Sequence, residues 1–159
     1  MNPKLFDAAV IACNKVAKDT FCLTLQSDFI AKHARAGQFV NVAVPRETDI
    51  LWRRPFSIHR VNPQQSTFDL LFSVVGKGTR IMSQLTPPLT LDVLGPLGNH
   101  FEYPEDKSRL IIVAGGLGVA PFLKVLQEVA DHDLTIDFIY GVSSVDYFAV
   151  YLKLPSTVI

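Results

Sequence analysis

A chain of 159 residues can hold one ordinary domain, or one complete domain and part of a second. Hydrophobic residues make up 48% and charged residues 19%, enough to bury a core, which excludes a disordered segment. The 15 basic and 15 acidic side chains balance to zero net charge, and no basic stripe marks a nucleic-acid binder.

The opening Met1-Asn2-Pro3-Lys4-Leu5 leads into no signal-type apolar region, because Asp7 and Asn14-Lys15 interrupt it. No apolar run approaches the ~20 residues of a membrane span, so a cytoplasmic protein is expected. Residues 6–13 and 20–26 are apolar-rich runs joined by the polar stretch 14–19, which predicts an antiparallel pair. Cys13 and Cys22 have neither a metal-clip nor an iron–sulfur spacing and read as buried, reduced thiols. Residues 37–44 alternate after a glycine turn, 46–51 are loop-like, and 55–61 resume as strand. Turn chemistry at 62–66 precedes a strand at 67–75. Gly76-Lys77-Gly78-Thr79 then opens a short helix, 80–85, which Pro87-Pro88 stops. A sixth strand, 89–94, is closed by Gly95-Pro96-Leu97-Gly98. Six short strands at this spacing predict a small closed antiparallel β-barrel.

The pattern changes at the charged linker 103–108. Residues 110–114 form a continuous apolar run, expected of a strand covered on both faces. Val119, Phe122, Leu123, Leu126, Val129 and Ala130 recur at helical spacing, and 134–140 reads as a second strand. A right-handed crossover makes the two strands parallel, the start of an α/β unit. Residues 144–154 are expected to begin another helix.

Three motifs carry candidate chemistry. Arg54-Pro55-Phe56-Ser57-Ile58 sets an arginine and a hydroxyl in a strand, and the planar fork of arginine suits phosphate. Gly76-Lys77-Gly78-Thr79 lets backbone approach an anion at a helix start, though it also reads as a plain turn with Thr79 as cap. Gly115-Gly116-Leu117-Gly118-Val119-Ala120-Pro121 lies between a buried strand and an amphipathic helix, the context of a dinucleotide-binding turn. It is not a strict G-x-G-x-x-G, and close helix–strand packing also calls for glycine there. No arginine follows Gly141-Val142-Ser143-Ser144 to pair a 2′-phosphate, which favours NAD over NADP. His33, His59, His100 and His132 form no metal spacing and read as surface or satisfied core residues. No pair of acids suggests general acid–base work, so no catalytic side chain and no metal ligand is assigned.

In this order the motifs resemble the ferredoxin-reductase family, in which a flavin-binding barrel precedes a nicotinamide-nucleotide domain. The resemblance implies an FAD-binding six-stranded antiparallel Greek-key barrel over residues 1–103. The start of a parallel α/β NAD-binding domain follows over 107–159. It implies that Arg54 meets the FAD pyrophosphate, that Phe56 (a tyrosine in the family pattern) packs on the flavin, and that Ser57 lies beside its reactive edge. Pro55 and Ile58 complete that element, and Gly76, Lys77, Gly78 and Thr79 form the second FAD element. Gly115, Gly116, Gly118, Ala120 and Pro121 match the family's NAD turn. Leu51-Trp52-Arg53-Arg54-Pro55-Phe56-Ser57-Ile58, Gly37-Gln38-Phe39 and Leu94-Gly95-Pro96-Leu97-Gly98-Asn99-His100-Phe101 are most similar to one branch, the electron-transfer subunits of NAD-dependent dihydroorotate dehydrogenases.

That branch implies electron transfer between NAD and an iron–sulfur centre through FAD, in pyrimidine biosynthesis, beside a separate catalytic dihydroorotate dehydrogenase subunit. Its members carry a C-terminal [2Fe–2S] cluster on four cysteines, whereas no cysteine here follows Cys22. The chain also stops about fifty residues after Arg109 and is expected to be a C-terminally truncated product or fragment. Two other readings stay open. One is a relative of the flavodoxin-reductase or sulfide-dehydrogenase type, and the other is a non-catalytic flavin-binding or partner-docking module.

Overall fold

A computed structural model describes residues 2–45, 52–103 and 108–147. Six strands close into an antiparallel barrel in the order β1-β2-β5-β4-β3-β6. They are β1 (Lys4–Ala17), β2 (Thr20–Gln26), β3 (Phe39–Val42), β4 (Arg54–Asn62), β5 (Thr67–Ser73) and β6 (Thr90–Leu97). Alternate side chains turn inward, and Leu23, Leu25, Val40, Ile58, Leu70 and Val93 fill the interior at 0% exposure. This is the expected barrel, with four local differences.

The first strand runs on through Asn14 and Lys15 to Ala17, past the predicted polar connection. A register shift between Lys15 and Ala17 accompanies the tight turn, where Asp19 takes a φ of 51°. The last barrel strand likewise continues through the Gly-Pro pair, with Gly95 opposite Lys4 and Leu97 opposite Phe39. The third difference is a helix where no element is predicted, α1 (Asp28–His33), opened by the Ser27 hydroxyl accepting from Ile30 N at 3.3 Å. The fourth is the helix after the glycine turn, α2 (Lys77–Met82), which starts and ends three residues earlier than expected, with Met82 fully buried in the barrel core. The expected loop 46–51 lies outside the described residues.

Beyond the barrel, β7 (Arg109–Gly115) pairs in parallel with β8 (Thr135–Gly141), Arg109 opposite Thr135 through Gly115 opposite Gly141. A 3-10 turn over Gly116–Val119 and the helix α3 (Phe122–Glu128) connect them. The predicted crossover is therefore present, but its strand is not covered on both faces. Ile112, Ala114 and Ile136 are buried, whereas Ile111, Val113 and Ile139 are 60%, 67% and 57% exposed. Among the described residues α3 and the barrel cover one face only. A 3-10 turn at Val145–Tyr147 lies where the last helix is expected, and residues 148–154 of that expectation lie outside the described residues.

The barrel and the α/β unit share a packed seam. Phe101 stacks on Phe122, ring centroids 6.2 Å apart, and Ala114, Val119 and Ala120 pack on Cys22 and Leu71 of the barrel. Cys22 is buried and Cys13 half-buried, both unbridged. Burial raises the Cys13 thiol pKa. No described helix is long and apolar enough to cross a membrane.

Candidate functional site

The doubled arginine of the sequence divides into two roles. Arg53 is held by β6, donating to the Asp92 carbonyl at 3.0 Å and to its carboxylate at 2.5 Å. Arg54 stays at the barrel rim, where Nη1 donates to the Trp52 carbonyl at 2.5 Å, and no described carboxylate pairs with it. A guanidinium so placed keeps most of its donors for an external anion. Pro55 is exposed, Ser57 half-buried, and Ile58 fully buried. Phe56 is 9% exposed and meets Phe72 edge to face at 5.7 Å, so its ring belongs to the barrel core.

Ile58 pairs with Leu70, and the Phe56–Phe72 contact continues that ladder, so the start of β4 lies beside the end of β5. Arg54 and the Gly76–Thr79 turn that follows β5 therefore share one rim. The Thr79 hydroxyl does not cap the helix as its first residue. It reaches back, accepting from Val75 N at 3.0 Å and Gly76 N at 3.2 Å. The first intrahelical bond runs from Arg80 N to Gly76 O, leaving the amides of Gly78 and Thr79 ahead of it. Lys77 is exposed and Gly78 buried.

The second motif occupies the carboxyl ends of the parallel strands, where ligands bind in open α/β sheets. Gly116 takes a φ of 49°, a left-handed conformation that favours glycine. Ala120 is buried, Pro121 caps α3, and the turn faces the barrel across a cleft of about 110 Å³. Gly116, Leu117 and Tyr140 line one side, Thr20 and Ser73 the other. The two hydroxyls of that barrel wall lie 3.2 Å apart. Sequence reasoning missed Thr20 and Ser73, although Ser73 stands out as the polar residue that ends the apolar run Leu70-Leu71-Phe72.

Two contacts lock turn and barrel together. His59, fully buried, donates from Nδ1 to the Ala120 carbonyl at 2.6 Å. A carbonyl only accepts, so Nδ1 carries the proton. Burial lowers the His59 pKa, against the Ala120 bond and the Asp69 charge that raise it, so the ring is neutral near pH 7. Gln127 of α3 grips the Val61 main chain, accepting from its N–H at 3.0 Å and donating to its carbonyl at 2.8 Å. Glu128 beside it accepts from Ala36 N at 2.9 Å and pairs with the buried Lys124 at 3.0 Å. Burial and the Glu128 charge push the pKa of Tyr103 nearby up to about 12.

The glycines test whether this surface fits a nucleotide cofactor. Gly95 would bring a Cβ within 2.6 Å of Val40, and Gly98, at a φ of 79°, within 2.9 Å of Phe39; packing explains both. At Gly76, Gly115, Gly118 and Gly141 an added Cβ would meet nothing within 4 Å among the described residues, and none has a positive φ. No described neighbour requires glycine there, whereas close approach of an external group does. All four lie in the Gly76–Thr79 turn, the Gly115–Gly118 turn or the strand end beside it, a surface open enough to admit FAD and a second nucleotide.

The oxidoreductase FAD-binding domain family matches residues 7–103. The dihydroorotate dehydrogenase B (NAD(+)) electron transfer subunit of Desulforamulus reducens is 43% identical over 128 residues, 80% of this chain and 49% of its own length. The subunit of the same name from Streptococcus pneumoniae is 34% identical over 146 residues, 91% of this chain and 56% of the relative. The chain thus spans about half the length of the curated relatives it matches. Among solved structures, an NADH-dependent reduced ferredoxin-NADP oxidoreductase aligns with a TM-score of 0.78 at 29% identity, over 88% of this chain and 50% of that one. Phthalate dioxygenase reductase shares the fold, with a TM-score of 0.76 at 19% identity, over 98% of this chain and 50% of its own.

Proposed function

The chain belongs to the oxidoreductase FAD-binding domain family, and from that premise we propose that it passes electrons between NAD and an iron–sulfur or flavin partner through FAD. The two-domain division is part of the proposal: residues 1–103 hold the flavin, and 107–159 contribute to the nicotinamide-nucleotide site. Arg54 and the Gly76–Thr79 turn bind the pyrophosphate, and Ser57 orients the flavin edge toward the cleft. Bound FAD supplies the hydride and one-electron chemistry that no side chain here provides. The Gly115–Gly118 turn, with Ala120 and Pro121 behind it, receives the pyrophosphate of NAD. Thr20 and Ser73 close the cleft from the barrel side and limit the entry of water.

One observation carries the reading: the four glycines that no described neighbour explains all stand at these two turns or beside them. The names of the similar subunits support a narrower assignment, electron transfer in a dihydroorotate dehydrogenase of pyrimidine biosynthesis. In that assignment the chain acts beside a catalytic subunit, and any [2Fe–2S] centre is held by residues other than Cys13 and Cys22.

Nucleotide selectivity tests the cleft. NAD added to the FAD-loaded protein should shift the flavin absorption band at concentrations where NADP does not, because no arginine follows Gly141 to pair a 2′-phosphate. A flavin spectrum unmoved by either nucleotide would remove the second site from the proposal.

A further inference from the structure

We propose that Trp52 is the platform on which the adenine ring of FAD stacks, and so the residue by which this protein distinguishes FAD from FMN. The inference rests on the flavin reading above and extends it to a residue outside the family motif. Trp52 is 77% exposed, and Val75 is 86% exposed. These two large apolar side chains directly flank the two proposed phosphate elements: Trp52 precedes Arg53-Arg54, and Val75 precedes Gly76. An indole left in water forgoes the stabilisation that its large surface yields when covered.

The main chain of Trp52 is tied to the proposed phosphate site. Its carbonyl receives the Arg54 guanidinium at 2.5 Å, while Arg53 between them is held by Asp92. Two residues of chain span at most about 7 Å. An exposed flat ring and the cation proposed to meet the pyrophosphate therefore lie within two residues of each other on one rim. FAD carries a flat adenine one ribose beyond its pyrophosphate, whereas FMN ends at a single phosphate with no second ring. Base–aromatic stacking needs no particular hydrogen-bond pattern, only an accessible face, which Trp52 offers.

The test is equilibrium titration of the flavin-free protein with FAD, FMN and ADP, for the wild type, Trp52→Ala and Trp52→Tyr. Trp52→Ala should weaken FAD and ADP binding about tenfold or more, the range of one base–aromatic stack, and leave FMN affinity unchanged. Trp52→Tyr should recover most of the loss. Trp52 is the single tryptophan of the chain, so ADP should also quench the protein's indole emission directly. Equal weakening of FAD and FMN would show that Trp52 acts through the fold and would overturn the proposal. Unchanged FAD affinity in Trp52→Ala would overturn it too, with Trp52 then a contact for a partner protein. A wild type that binds FAD and FMN alike defeats the adenine platform alone. A wild type that binds neither defeats the flavin reading and this inference with it.

Discussion

His59 shows how one residue can tie the two halves of the site together. It follows Ile58 on β4, yet Ile58 fills the barrel and His59 bonds to Ala120 of the dinucleotide turn. Successive side chains of a strand face opposite sides, so Ile58 turns into the barrel while His59 turns out beneath the α/β unit, and the register shift between Ile58 and Arg60 returns Val61 to the interior. Burial, the main effect on it, holds the imidazole pKa below its ordinary 6.5. The unfolded chain then takes up a proton that the folded chain refuses, so stability falls as pH drops below about 6.5 and is indifferent to this group above it. The Arg60 charge works in the same direction and Asp69 against it. His59→Gln, which keeps a donor for Ala120 but cannot titrate, should flatten the melting temperature against pH between about pH 5 and 7. Parallel profiles for the two proteins would show that His59 is not protonated on unfolding.

At the scale of elements, the close approach of β3 and β6 makes the sharpest demand on sequence. A Cβ on Gly95 would stand 2.6 Å from Val40 Cγ1 and 3.3 Å from its Cβ, and Val40 is itself fully buried. Gly95→Ala should therefore cost about 1–3 kcal/mol, the usual penalty of overpacking, read as a lower melting temperature. An unchanged melting temperature would mean that the two strands part easily. Gly95 also marks a limit of sequence reading. Six strands and their order along the chain were legible from alternation and turn residues, but Gly-Pro reads as a stop, and here both residues are buried inside β6. The strand through Asn14 and Lys15 was hidden for a related reason: side chains that face water in a paired strand look like a connection. The Ser27-Asp28 start of α1 was a legible capping signal in a helix too short to show periodicity. The motif residues were legible as types. The division between Arg53 and Arg54, and the Thr20–Ser73 wall, required the barrel to be closed first.

The described residues form a closed barrel with an α/β unit locked against it at His59, Gln127 and Glu128, leaving a cleft beside the Gly115–Gly118 turn. On the proposed function, the barrel rim holds FAD through Arg54. Titration of flavin-free protein with FAD, wild type beside Arg54→Ala, tests that most directly. Wild type should bind one FAD per chain, and Arg54→Ala should lose about 1.5–3 kcal/mol, the scale of a hydrogen bond to a charged group. That is an affinity loss of about ten- to a hundredfold. A wild type that stays free of flavin in excess FAD, or an Arg54→Ala protein that binds it equally well, would contradict the account.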